Sequence, residues 1–115
     1  MANAALSFAL AASVLLAVLP DAERQKIEAL ITAIEHLKDA TFIRNDKSYD
    51  APTAAKFLRG KWRDRAKEVA SAEDFIAKVA SFSSTTGKPY LIRFADGREI
   101  PSAEFLRAEL ARLTP

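Results

Sequence analysis

Along the chain the apolar residues first crowd together, then take up helical spacing, then alternate, and then return to helical spacing. Ile27, Leu30, Ile31, Ile34 and Leu37 fall on one stripe, which predicts an amphipathic helix over about residues 21–38. Asp21, Glu23 and Glu28 favour its positive N-terminal end. Thr41-Phe42-Ile43-Arg44 has β character, and Asn45-Asp46-Lys47-Ser48 is turn chemistry. Asp50 is placed to cap a second helix, with Pro52 in its first turn. Ala55, Leu58, Trp62, Ala66 and Val69 form the apolar face of that helix, and Gly60 interrupts its pattern. Ser71-Ala72-Glu73-Asp74 resembles a capping box that opens a third helix, with Phe75, Ile76, Val79 and Phe82 as its buried stripe. The run Ser83-Ser84-Thr85-Thr86-Gly87 stops it.

The period then changes. Tyr90 to Phe94 alternates like a strand, and Arg98-Glu99-Ile100 is a second strand. A three-residue loop, Ala95-Asp96-Gly97, with Gly97 left-handed, pairs Phe94 with Arg98. That register sets Ile92 opposite Ile100 on one face and Arg93 opposite Glu99 on the other. Ser102 is placed to cap a last helix whose stripe is Ala103, Leu106, Leu110 and Leu113. The expected fold is α+β and mostly helical. About four helices surround one core with a small antiparallel hairpin, which Phe42 to Arg44 can join as a third strand.

The N-terminus differs from all of this. No charged side chain lies between Met1 and Leu19, and Leu6, Phe8, Leu10, Val14, Leu15, Leu16, Val18 and Leu19 form an apolar run closed by Pro20-Asp21. Its length suits a secretory signal better than a membrane span of about 20 residues with anchoring flanks. Residues 1–22 are therefore expected to be a signal peptide and residues 23–115 a single small domain, periplasmic or secreted. Two alternatives remain open: an uncleaved tether to the inner membrane, and a buried helix. After processing no transmembrane span is expected.

Composition narrows the chemistry. The chain has no Cys, which removes disulfides, thiol catalysis and thiolate zinc sites. Loss of Asp21 with the leader leaves 17 basic and 14 acidic residues, a net charge of +3. That is mildly basic and weakly favours anionic partners.

The segment from Phe42 onward resembles a family of small exported bacterial proteins, domain of unknown function family 5329. Three pieces carry the resemblance: Phe42-Ile43-Arg44-Asn45 followed by Tyr49, Ala72-Glu73-Asp74-Phe75-Ile76, and Ser83-Ser84-Thr85-Thr86-Gly87-Lys88-Pro89-Tyr90. Their spacing also fits, so the resemblance covers most of residues 24–113. The family pattern has Gly after the Asn, where this chain has Asp46. The resemblance implies export and supplies no activity.

Candidate chemistry is sparse. His36, the single histidine, lies opposite Ile27 on the first helix and should face water. No metal site and no cofactor is expected. Ser83, Ser84, Thr85 and Thr86 offer hydroxyls, and Lys88 is the nearby base, so a small hydrolase-like enzyme using Ser83 or Ser84 with Lys88 is one reading. The simpler reading is a helix end closed by Gly87. Ser83, Ser84, Lys88 and backbone N–H groups also suit an anionic or sugar ligand. Arg44, Asn45, Tyr49, Lys88 and Tyr90 are the preferred ligand site because the family resemblance concentrates there; Arg44 is placed to bridge to Asp50. Lys56, Arg59, Arg63 and Lys67 form a cationic stripe on the second helix, flanked by Lys61 and Arg65. It suits an anionic envelope polymer or an envelope protein, and is otherwise a solvated face. Nucleic acid is disfavoured, because no recognised motif is present and Trp62 lies on the apolar face. The leading functional expectation is a periplasmic binding or interaction module without chemistry of its own.

Overall fold

The computed structural model describes residues 19–114. Residues 1–18, which hold nearly all of the expected signal or anchor segment, lie outside the described residues, as does Pro115. Helix α1 spans Asp21–Glu35 and buries Ile27, Leu30, Ile31 and Ile34. It ends short of the expected residue 38, with His36 as its C-cap, and the left-handed Asp39 (φ 55°) lies in the turn that leads to the sheet.

Strand β1 (Thr41–Arg44) pairs with β2 (Lys47–Asp50) across a two-residue turn. Both turn residues, Asn45 (φ 51°) and Asp46 (φ 66°), are left-handed, as a tight hairpin requires. Lys47 and Ser48 thus belong to a strand and not to a turn. β2 lies at the sheet edge, where polar residues serve, so alternation does not reveal it. This adds a fourth strand to the three expected.

Asp50 caps α2 (Ala51–Asp64), its carboxylate accepting from the Thr53 N–H at 2.9 Å. α2 ends before Ala66, which is exposed on a short 3-10 turn (Ala66–Glu68) rather than on the helix face. Leu58 is fully buried, while Trp62 is half-buried and meets Phe75 edge-on at 5.9 Å. Ser71 caps α3 (Ala72–Phe75), accepting from Asp74 N–H at 3.1 Å. Asp74 reaches back to the Ala70 N–H, one residue beyond the position a capping box uses. α3 widens into a π turn over Ile76–Ala80. The helical run ends there, so Phe82 lies past it and is 43% exposed instead of joining the buried stripe.

Strands β3 (Leu91–Arg93) and β4 (Glu99–Pro101) form the expected hairpin. Ile92 faces Ile100, Arg93 faces Glu99 with an ion pair at 3.1 Å, and Gly97 is left-handed (φ 90°). The sheet is antiparallel in the order β2-β1-β3-β4, so β1 joins the two hairpins. α4 (Ser102–Leu113) closes the chain. Ser102 is its first helical residue and not its cap; its N–H donates to the Tyr90 carbonyl at 2.8 Å while its Oγ is buried without a partner. Leu106 is buried and Leu113 is exposed. The helices and the inner face of the sheet share one apolar core, in which Leu30, Ile31, Leu58, Phe75, Ile92 and Leu106 are inaccessible to water or nearly so. No helix among the described residues is long and apolar enough to cross a membrane.

Candidate functional site

Two turns lock together beside the sheet. The left-handed Asn45 projects its amide between them: Nδ2 donates to Ser83 Oγ at 3.2 Å, and Oδ1 accepts from Thr86 Oγ1 at 2.6 Å. Ser83 is 1% exposed, and its Oγ also accepts from the N–H groups of Thr85 and Thr86 at 3.3 and 3.4 Å. The loop closes on itself through Ser83 N–H to Lys88 O and Gly87 N–H to Ser83 O, both 2.9 Å. Lys88 Nζ donates to Asp46 Oδ2 at 2.6 Å. Asn45, Ser83 and Lys88 therefore hold two turns in register. Asp46 holds a left-handed conformation (φ 66°) and uses its carboxylate to pin Lys88.

A cleft of about 550 Å³ opens next to this lock, between α2 and the segment from Ser83 to Tyr90. That volume is within the range of small-molecule sites. One face of α2 forms its floor, through Phe57, Gly60, Lys61 and Asp64, continued by Arg65 at the helix C-cap. These residues recur three and four apart, as neighbours on one helix face must. Arg44 enters from β1, with its guanidinium carbon 4.5 Å from the centroid of the Phe57 ring. Arg44 Nε is buried without a partner. The expected bridge from Arg44 to Asp50 does not form, because Asp50 caps α2 and Arg44 stacks on Phe57.

Lys61 is the most perturbed group. Its Nζ donates to the Phe82 carbonyl at 2.8 Å and to the Tyr90 hydroxyl at 2.9 Å. Burial, followed by repulsion from Arg65 and Arg44, holds its pKa down to about 8. Tyr90 is 1% exposed, and burial raises its phenol above the ordinary value while Arg44 pulls the opposite way. Arg65 is tied to Glu68 at 3.1 Å.

The structure thus divides the residues singled out in the sequence. Arg44, Ser83, Ser84 and Tyr90 line the cleft. Asn45 and Lys88 belong to the turn lock beside it, and among the described residues no hydrogen bond joins Lys88 Nζ to Ser83 or Ser84. Tyr49 lines an adjoining apolar pocket of about 130 Å³ with Phe42, Thr53 and Ala54, which shares the Arg44–Phe57 wall with the cleft. The cationic stripe is broken. Lys56 and Arg63 are exposed, Arg59 is ion-paired with Glu28 and Glu35 of α1, and Lys67 sits on the 3-10 turn beyond the helix. His36 is exposed. Phe57 and Gly60 were not expected in a site, and Lys61 and Arg65 only as a flank. Their spacing puts them on one side of the helix but does not mark that side as a cleft wall.

Fold and cleft together define a small α+β protein with a groove lined by Arg44, Lys61 and Arg65 beside a four-stranded antiparallel sheet. The chain belongs to the Family of unknown function (DUF5329), which matches residues 21–114. It is similar to the Uncharacterized protein YfeK of Salmonella typhimurium, 43% identical over 68 residues, which are 59% of this chain and 57% of that protein. The chain thus matches somewhat over half the length of that curated relative. No solved structure matches. Neither description names an activity, a substrate or a partner.

Proposed function

We propose that this protein is a periplasmic or secreted binding module without chemistry of its own, and that its ligand occupies the cleft between α2 and the Ser83–Tyr90 segment. The cleft carries this reading. It has the volume of a small-molecule site, and it combines an aromatic wall with converging polar groups. Gly60 adds support: a glycine inside a helix is destabilising, and here its missing side chain leaves the cleft floor open. Export rests on the uncharged apolar run from Met1 to Leu19. The alternative, a hydrolase-like enzyme using Ser83 or Ser84 with Lys88, has less support. The Ser83 hydroxyl is taken up by the loop, and the Lys88 amine is paired with Asp46.

The test is a thermal-shift screen of polar small molecules against the parent and Gly60→Trp. A Cβ at position 60 meets nothing within 4 Å, and the residue lines the cleft floor, so a bulky side chain there is aimed at the ligand's volume. Ligands that stabilise the parent should lose their effect on the variant. Equal stabilisation of both proteins would place the ligand elsewhere.

A further inference from the structure

We propose that the cleft is an oxyanion site, in which Arg44 and Lys61 together receive a phosphate or carboxylate group carried on a small molecule. This rests on the reading above for where the ligand sits and adds what it is. Charge accounting over the described residues carries it. All 17 lysines and arginines are described, and eight lie within ion-pair distance of a carboxylate. Seven of the other nine are exposed, where water solvates them. The remaining two, Arg44 and Lys61, are partly withdrawn from solvent, and they line the same cleft.

Withdrawing a cation from water without a counter-ion is unfavourable, and placing two in one groove adds repulsion. Their contacts do not cancel the charge. Lys61 Nζ meets only neutral acceptors, the Phe82 carbonyl and the Tyr90 hydroxyl. Arg44 lies on the face of Phe57, and its Nε is left without a partner. The charged groups around Lys61 are Arg44 from β1, Asp64 from α2, Arg65 from its C-cap, and Glu68 from the 3-10 turn; Tyr90 adds a titratable phenol. Glu68 is paired with Arg65. Burial first, then repulsion from Arg65 and Arg44, depresses Lys61, and among the described residues Asp64 forms no ion pair with it. An anion held between the two cations relieves that repulsion. The planar guanidinium suits the parallel oxygens of phosphate or carboxylate, and the lysine adds a compact point charge. The cleft's 550 Å³ far exceeds a bare ion, which is why the group is assigned to a larger molecule. The exposed Ser84 and Thr85 at the lip offer donors to the remainder of that molecule.

Calorimetry on the intact protein tests this with sulfate as a non-titrating stand-in for phosphate, citrate as a carboxylate, and glucose as a neutral control, at matched ionic strength. Titrations at pH 8 in buffers of different ionisation enthalpy report protons. At least one anion should bind, with proton uptake as Lys61 is recharged, and affinity should fall by about tenfold or more in Arg44→Gln and in Lys61→Gln. If either variant fails to fold, proton uptake by the parent still decides. Failure of both anions to bind the folded parent, or binding without proton uptake that neither substitution weakens, overturns the oxyanion site. If glucose binds and Gly60→Trp abolishes it while both anions stay silent, the oxyanion assignment falls and the cleft stands. If the anions bind Gly60→Trp as well as they bind the parent, both readings fall.

Discussion

Burial and the neighbouring Arg65 and Arg44 hold the Lys61 amine at about 8 in the folded chain, against an ordinary 10.5. Between those values the unfolded chain keeps a proton that the folded chain has already released. Stability therefore rises as pH climbs from about 8 toward 10.5, and it is flat in this group below 8, where both states are charged. Lys61→Met removes the titration. Urea midpoints at pH 7 and pH 10 should show the parent gaining stability relative to the variant at the higher pH. Equal changes in the two proteins would mean that the amine is ordinarily solvated. The same residue shows where reading the sequence stops. Lys61 falls in a helix rich in basic residues, and spacing alone assigns it to a flank. Its burial depends on Phe82 and Tyr90, which arrive from more than twenty positions away.

α2 carries an internal glycine that its propensity does not favour. Replacing Gly60 with Ala should raise stability by roughly 0.5–1 kcal/mol, since the new methyl meets no neighbour within 4 Å and the helix loses its most flexible residue. Thermal unfolding of Gly60→Ala reads this directly, and a fall in midpoint would show a backbone that tolerates only glycine there. The element level is also where the sequence was most informative. The stripe Ile27, Leu30, Ile31 and Ile34 is the buried face of α1, and the alternation around Ile92 and Ile100 yields the β3–β4 register residue by residue. Both follow from burial on one face. β2 was missed because an edge strand can be polar throughout, and Phe82 was misplaced because a π turn breaks the 3.6-residue period that a stripe assumes. Among the residues that line the cleft, Arg44 and Tyr90 were singled out through family resemblance and Ser83 and Ser84 through their hydroxyls. Phe57 and Gly60 were not, because a cleft wall leaves no periodic mark distinct from a helix side.

Across the whole molecule, the mild positive charge can act as a diffuse field or as a located site. Lys56, Arg59, Arg63 and Lys67 do not make a continuous stripe, since Arg59 is neutralised by α1 and Lys67 lies off the helix. Replacing all four with Gln should leave anion binding and its salt dependence close to those of the parent, whereas Arg44→Gln should weaken both. A comparable loss in the four-fold variant would move the recognition to the outer face of α2. The most direct measurement is a heteronuclear NMR titration of the intact protein with citrate, following every backbone amide. If the cleft receives the anion, shift changes concentrate at residues 57–65, at Arg44 and at residues 83–90, and saturate together. Changes spread over α1 and α4, or absent from α2 at saturating citrate, would contradict the account.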